Sequence, residues 1–162
     1  MMQQLYELLL KQGRRIASCE SITGGLFMAE MTSVPHVSRV FMGGVVSYQN
    51  EIKEKVVGVP VELVDTYGVV SAECAQSMAT NICRLFMADV GVSFTGNAGP
   101  TAMEGKPAGL VYTCIVVDGQ PYPFHDQIDM PRNQLRQKIV DLTVARLKEI
   151  LTASRKDKGS GQ

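Results

Sequence analysis

Cys19-Glu20-Ser21-Ile22-Thr23-Gly24-Gly25 lies between an apolar run at 16–19 and an amphipathic stretch carrying Leu26, Phe27, Ala29 and Met31. A strand that ends in hydroxyl and glycine residues and passes straight into a helix opens an α/β unit, so this segment decides the fold class. The helix is expected over 24–32, with Pro35 closing the unit. Helix N-termini present unpaired backbone N–H groups and a positive dipole end, which stabilise an anion or an oxygen becoming one. Ser21 stands where such a field acts and is the candidate nucleophile, with the N–H groups of Thr23, Gly24 and Gly25 as candidate oxyanion donors.

Working outward, Leu5, Leu8 and Leu9 share a helical face that Gly13 terminates, so a short packing helix precedes the first strand. On the other side, 40–48 reads as a buried strand in which Gly43-Gly44 marks the close approach of a backbone or a ligand. Short helical pieces follow at 51–57 and from Val61, separated by Gly58-Val59-Pro60. Ser71 is an N-cap for a helix to Phe86, with Ala72, Ala75, Ala79, Ile82 and Phe86 at helical spacing. A strand at 90–94 leads into the small-residue loop Thr95-Gly96-Asn97-Ala98-Gly99-Pro100, after which 101–107 has no helical or strand pattern. Strands at 110–117 and 122–128 flank Asp118-Gly119, a hairpin signal. Pro131 opens a final helix with Leu135, Ile139, Leu142 and Ala145 on its core face. The expected architecture is one layered α/β/α domain over 1–153, with a mixed central sheet and a late antiparallel hairpin, and a flexible polar tail at 154–162.

Composition narrows the function classes. A chain of 162 residues with 45% hydrophobic content supports one core, and equal counts of 16 basic and 16 acidic residues leave no basic stripe for nucleic-acid phosphates. Cys19, Cys74, Cys83 and Cys114 form no C-x-x-C pair or Cys/His cluster, and His36 and His125 are far apart in sequence. The expectation is therefore no metal and no cofactor. No apolar run approaches the ~20 residues that cross a bilayer, so the chain is expected in the cytoplasm with reduced thiols and no membrane partner. The nine methionines, many on helical apolar faces, are assigned to the core.

A serine needs a base, and the second polar cluster, Tyr48-Gln49-Asn50-Glu51-Ile52-Lys53, offers Lys53. Serine, lysine and tyrosine together suggest amide hydrolysis. The residues alone leave alternatives open. Ser21 also fits an N-cap, Lys53 a solvated helix surface with Glu51, Glu54 and Lys55, and Tyr48 a strand-end aromatic in water. Thr95, Gly96, Asn97, Ala98 and Gly99 form either an ordinary turn or a backbone cradle for ribose or phosphate, and lack the spacing of a P-loop or dinucleotide fingerprint. Arg132 and Arg136, one helical turn apart, fit either a phosphate clamp or a solvated face.

Four landmarks in order, Glu20 to Gly25, Gly43 to Lys53, Tyr67-Gly68-Val69-Val70-Ser71 and Thr95 to Pro100, resemble the C-terminal domain family of the CinA competence-damage proteins. That domain also exists alone as nicotinamide-mononucleotide amidohydrolase. The resemblance covers nearly the whole chain and implies hydrolysis of the carboxamide of nicotinamide mononucleotide to nicotinic acid mononucleotide and ammonia, without metal, by a homodimer. By resemblance Ser21 is the nucleophile, Lys53 its activator, Tyr48 a neighbour of both, and Asn50 and Thr95 to Gly99 contact substrate. One of Arg132 and Arg136 is implied near the phosphate. The family's glycine-rich continuation becomes Thr101-Ala102-Met103-Glu104 here. That departure motivates a second expectation, a catalytically silent relative that binds a pyridine nucleotide or a protein. By resemblance, longer relatives carry an additional N-terminal domain, which is not expected within these 162 residues.

Overall fold

The computed structural model describes residues 1–158, with side chains described through Ser154. In chain order the elements are α1 (Met2–Gln12), β1 (Ile16–Glu20), α2 (Leu26–Thr32), β2 (Phe41–Val46), α3 (Asn50–Lys55), α4 (Val61–Tyr67), α5 (Ala72–Phe86), β3 (Val90–Gly96), β4 (Leu110–Val117), β5 (Gln120–Gln127) and α6 (Arg132–Lys158). The five strands form one sheet in the order β2-β1-β3-β4-β5. The first three strands are parallel, and β4 pairs antiparallel with both β3 and β5, giving the expected mixed sheet with its late hairpin. Asp118 and Gly119 both adopt left-handed φ values, 49° and 84°, the backbone of a type I′ turn matched to strand twist.

Alternation along the strands explains the layers, since successive side chains leave opposite faces of a sheet. Ile16 on β1, Val90, Val92 and Phe94 on β3 and Val111 and Ile115 on β4 join the core made with α1, α2 and α6. Phe27 of α2 meets Phe94 with ring centroids 5.6 Å apart. Ala17 and Cys19 instead face Cys74, Met78 and Ile82 of α5. At Gly91 a Cβ would press on Cys83 Sγ at 2.5 Å and Ile82 at 3.2 Å, so glycine lets α5 lie close on β3. The buried stripe of α6 runs Leu135, Ile139, Val140, Val144, Leu147 and Leu151, which drifts from the expected Ala145 to its neighbours.

Several expectations change. Helix α2 starts at Leu26 rather than at 24, because Gly24 and Gly25 take left-handed φ values of 58° and 100° and form the turn itself. Strand β2 is not buried: it is a half-covered edge of the sheet. Its glycines do mark a close approach, since a Cβ on Gly44 would meet Ser18 Oγ and Met28 Sδ, each at 2.9 Å. The 101–107 stretch, patternless in sequence, forms a small hairpin through a bridge between Met103 and Lys106. Of the tail expected at 154–162, the backbone to Lys158 continues α6, while 159–162 lie outside the described residues.

The topology places a crevice. Glu20 is level with Val46 on one side and with Phe94 on the other, so β2 and β1 end together and β3 runs two residues further. The chain passes from β1 to β2 through α2, and from β2 to β3 through α5 on the opposite face. Ligand sites of open α/β sheets lie outside the carboxyl ends of strands where connections diverge in this way.

Candidate active site

Three strand ends supply the site. Ser21 follows β1 directly, and its N–H donates to Phe94 O of β3 at 2.9 Å, which fixes the hydroxyl at the sheet's edge. Ser47 follows β2; its N–H donates to Glu20 O at 2.8 Å. Thr95 and Gly96 end β3. Ser21, Thr95 and Gly96, together with Ile22, Tyr48, Gln49, Asn50, Lys53, Val69, Asn97, Ala98, Met103 and Arg132, line a cavity of about 300 Å3.

Lys53 is not the solvated surface residue that its charged neighbours suggest. Helix α3 turns it inward, where it is 1% exposed, and Nζ donates to Ser47 O at 2.7 Å, Ser21 Oγ at 3.1 Å and Tyr48 O at 3.4 Å. No carboxylate lies within ion-pair distance of this ammonium among the described residues. Burial pulls the Lys53 pKa below the ordinary lysine value, with Cys74, Cys19 and Glu104 opposing the shift. Cys74 and Cys19 oppose it only as thiolates, and burial pushes those thiols up to about 12 and about 11. Neither is charged at neutral pH, which leaves the depression of the lysine largely intact. The same shifts make Cys19 an inert neighbour of the site.

The residue that the sequence reasoning overlooked is Glu20. Its side chain is fully buried, yet its carboxylate accepts from Thr23 Oγ1 at 2.8 Å, Phe27 N at 3.0 Å, Met28 N at 2.9 Å and Ser18 Oγ at 3.2 Å. It therefore occupies the N-terminal end of α2, and the positive field expected to act on Ser21 is already satisfied by an internal anion. An acidic residue at the end of an apolar strand was the available signal, because buried carboxylates occur only with partners.

That finding corrects the expected oxyanion donors. Thr23, Gly24 and Gly25 do not line the cavity. Thr23 is fully buried toward Glu20, and the Gly24 N–H donates to Ser21 O at 3.0 Å. Ile22 does line the cavity, and among the described residues its N–H has no hydrogen-bond partner. It is the donor immediately after the serine, the place from which a nucleophile turn supplies an oxyanion contact.

The arginines separate. Arg132 lines the cavity, donating to Tyr48 Oη at 3.0 Å and Gly99 O at 2.9 Å, whereas Arg136 lies outside it and donates to Thr23 O at 2.8 Å. Tyr48 is placed differently from expectation: its carbonyl meets Lys53 while its hydroxyl, in a side chain 56% exposed, meets Arg132. Asn50, Thr95, Gly96, Asn97 and Ala98 line the cavity, while Gly99 borders an adjoining cleft. Thr95 Oγ1 is committed to Val69 O at 2.6 Å, and Asn97 orders its own loop through Thr101 O and Gly99 N, at 2.8 and 3.0 Å. No cluster of His, Cys, Asp or Glu among the described residues has the composition of a metal site. No helix among them is long and apolar enough to cross a membrane.

Comparison with known proteins agrees with this architecture. Residues 1–151 match the CinA C-terminal domain profile. A relative from Listeria welshimeri, named a competence-damage inducible protein, is 40% identical over 149 residues, which is 91% of this chain and 36% of the relative. One of the same name from Geobacillus sp. strain WCH70 is 51% identical over 109 residues, covering 67% of this chain and 26% of the relative. The chain thus spans about a third of the length of these curated relatives. A CinA superfamily crystal structure from Klebsiella pneumoniae superposes with a TM-score of 0.91 at 29% identity, covering 94% of this chain and 96% of the other.

Proposed function

Because the chain belongs to the CinA C-terminal domain family, we propose that it is an amidohydrolase converting nicotinamide mononucleotide to nicotinic acid mononucleotide and ammonia. The observation that carries this reading is the 3.1 Å contact between the buried Lys53 Nζ and Ser21 Oγ. A lysine whose ammonium is disfavoured by burial is neutral for part of the time, and a neutral amine in hydrogen-bond reach of a hydroxyl is a general base.

In the proposed reaction Ser21 Oγ attacks the carboxamide carbon and its proton passes to Lys53 Nζ. The carbonyl oxygen becomes an oxyanion facing the Ile22 N–H, a contact of a kind whose removal typically costs about 3 kcal/mol of barrier. The C–N bond then breaks, Lys53 returns the proton, and ammonia leaves an acyl ester on Ser21. Water, deprotonated by Lys53, attacks the ester, and the proton returns to Ser21 Oγ as the acid departs. Arg132, with Tyr48 and Asn50 beside it in the cavity lining, takes the phosphate in this reading. We place the enzyme in the cytoplasm, a reducing compartment that suits its four free thiols. We also take it as a homodimer, for which the edge strand β2, with Val46 43% exposed, offers a surface.

An ammonia-release assay on nicotinamide mononucleotide tests the reading. Wild type releases ammonia stoichiometrically with nicotinic acid mononucleotide, and Ser21→Ala does not. Binding of the nucleotide by wild type without turnover would leave only the silent-relative reading, which the altered stretch from Thr101 to Glu104 motivates.

A further inference from the structure

The 101–107 hairpin is held by more than its own turn. Met103 and Lys106 exchange backbone hydrogen bonds, Met103 N to Lys106 O at 3.1 Å and Lys106 N to Met103 O at 2.9 Å. The two residues between them, Glu104 and Gly105, both take left-handed φ values, 56° and 69°. For a glutamate that conformation is unfavourable and persists only where surroundings enforce it. The surroundings are the segment that precedes α5. The Glu104 carboxylate accepts from Val69 N at 3.0 Å and Val70 N at 2.9 Å. The Lys106 ammonium donates to Tyr67 O at 2.9 Å and also to Val70 O. One side chain thus takes two N–H groups and the other two carbonyls of the same four-residue stretch, so the hairpin is latched in place.

The latch carries Met103 to the cavity, where it stands in the lining with Ser21, Ile22, Val69 and Ala98. The amide carbon of any substrate must reach Ser21 Oγ, and the group bearing the amide then occupies the space next to it. Polar groups for a phosphate, Arg132 with Tyr48 and Asn50, belong to the same lining. The apolar members are left for the ring.

We propose that Met103 is a specificity-determining residue whose thioether packs on the flat heteroaromatic ring that carries the scissile carboxamide, and that Glu104 and Lys106 are positioning residues that hold it there. The inference rests on the amidase reading for the identity of the ring. A polarizable, unbranched thioether makes favourable contacts with aromatic rings that a smaller side chain does not. The contacts of Glu104 and Lys106 with 67–70 fix the backbone that bears Met103, so the thioether reaches the cavity from a held position.

The test measures nicotinamide mononucleotide binding by calorimetry and turnover by ammonia release, for wild type, Met103→Ala, Met103→Leu and Glu104→Ala. Met103 is 40% exposed, so its truncation leaves the core unaltered. Met103→Ala is expected to weaken Kd and raise KM by about tenfold with kcat within about threefold, the signature of lost ring binding rather than lost chemistry. Met103→Leu restores most of the affinity, and Glu104→Ala reproduces the Met103→Ala defect. An unchanged Kd in Met103→Ala overturns the inference whether or not wild type turns over. A wild type that binds without turnover refutes the amidase reading alone and leaves the Kd ratio to judge Met103. A wild type that does not bind the nucleotide at all refutes both.

Discussion

Replacing Glu20 by alanine removes the acceptor of four hydrogen bonds from a fully buried position. The hydroxyls of Ser18 and Thr23 can rotate to other acceptors, but the N–H groups of Phe27 and Met28 at the start of α2 cannot move without the helix. Leaving a buried donor unsatisfied costs about 1–3 kcal/mol. The Phe27 donor is buried and the Met28 donor partly so, and the two together give a destabilisation of about 2–5 kcal/mol. That exceeds the ~1 kcal/mol typical of losing an ordinary N-cap, because here one carboxylate serves both the strand end and the helix start. For a chain of this length each kcal/mol lowers Tm by about 2–4 °C, so Glu20→Ala should melt about 4–20 °C below wild type. Glu20→Gln keeps one acceptor oxygen and should fall roughly midway. The assay is urea unfolding followed by circular dichroism, with the slope checked so that midpoints report stability. A Glu20→Ala protein within about 0.5 kcal/mol of wild type would falsify the claim that this carboxylate organises the turn bearing Ser21.

Other perturbations separate roles that the structure pulls apart. Arg132→Ala should raise KM for the nucleotide by about 10- to 100-fold through loss of a charged phosphate contact, while Arg136→Ala leaves KM within about threefold and lowers stability by releasing Thr23 O; equal KM effects in steady-state assays would contradict the division. Gly44→Ala forces a methyl against β1 and Met28 Sδ and should destabilise by about 1–3 kcal/mol with reduced turnover, since Ser47 follows on the same strand. A thermally neutral Gly44→Ala would show that the close approach is soft. Lys53→Met should retain nucleotide binding by calorimetry and lose about 10²- to 10⁴-fold in kcat, and a near-normal kcat would remove the amine from the mechanism.

The sequence carried most of the element order because its punctuation is local. Gly13, Ser71 and the pair Asp118-Gly119 each perform the terminating or turning role that their chemistry predicts. What it did not carry were facts that exist only between distant segments. Lys53 looks solvated because Glu51, Glu54 and Lys55 surround it in sequence, and only the turn of α3 toward the strand ends buries it. Glu20 reaches N–H groups seven and eight residues ahead, a spacing outside the usual capping patterns. Arg132 and Arg136 differ by one helical turn, and sequence cannot say which faces the cavity and which holds the Ser21 turn. The latch of Glu104 and Lys106 on 67–70 is likewise a contact between loops more than thirty residues apart.

Central to the proposed reaction is a buried amine, Lys53, to which the proton of Ser21 is assigned. The most direct measurement titrates the Lys53 Nζ by nitrogen-15 NMR beside the pH profile of kcat/KM. Burial favours the neutral amine, so Lys53 should deprotonate below the ~10.4 of a free lysine, and kcat/KM should rise with pH through the same value as the base form accumulates. A Lys53 that titrates like a lysine in water, or a kcat/KM that does not follow its deprotonation, would contradict the account.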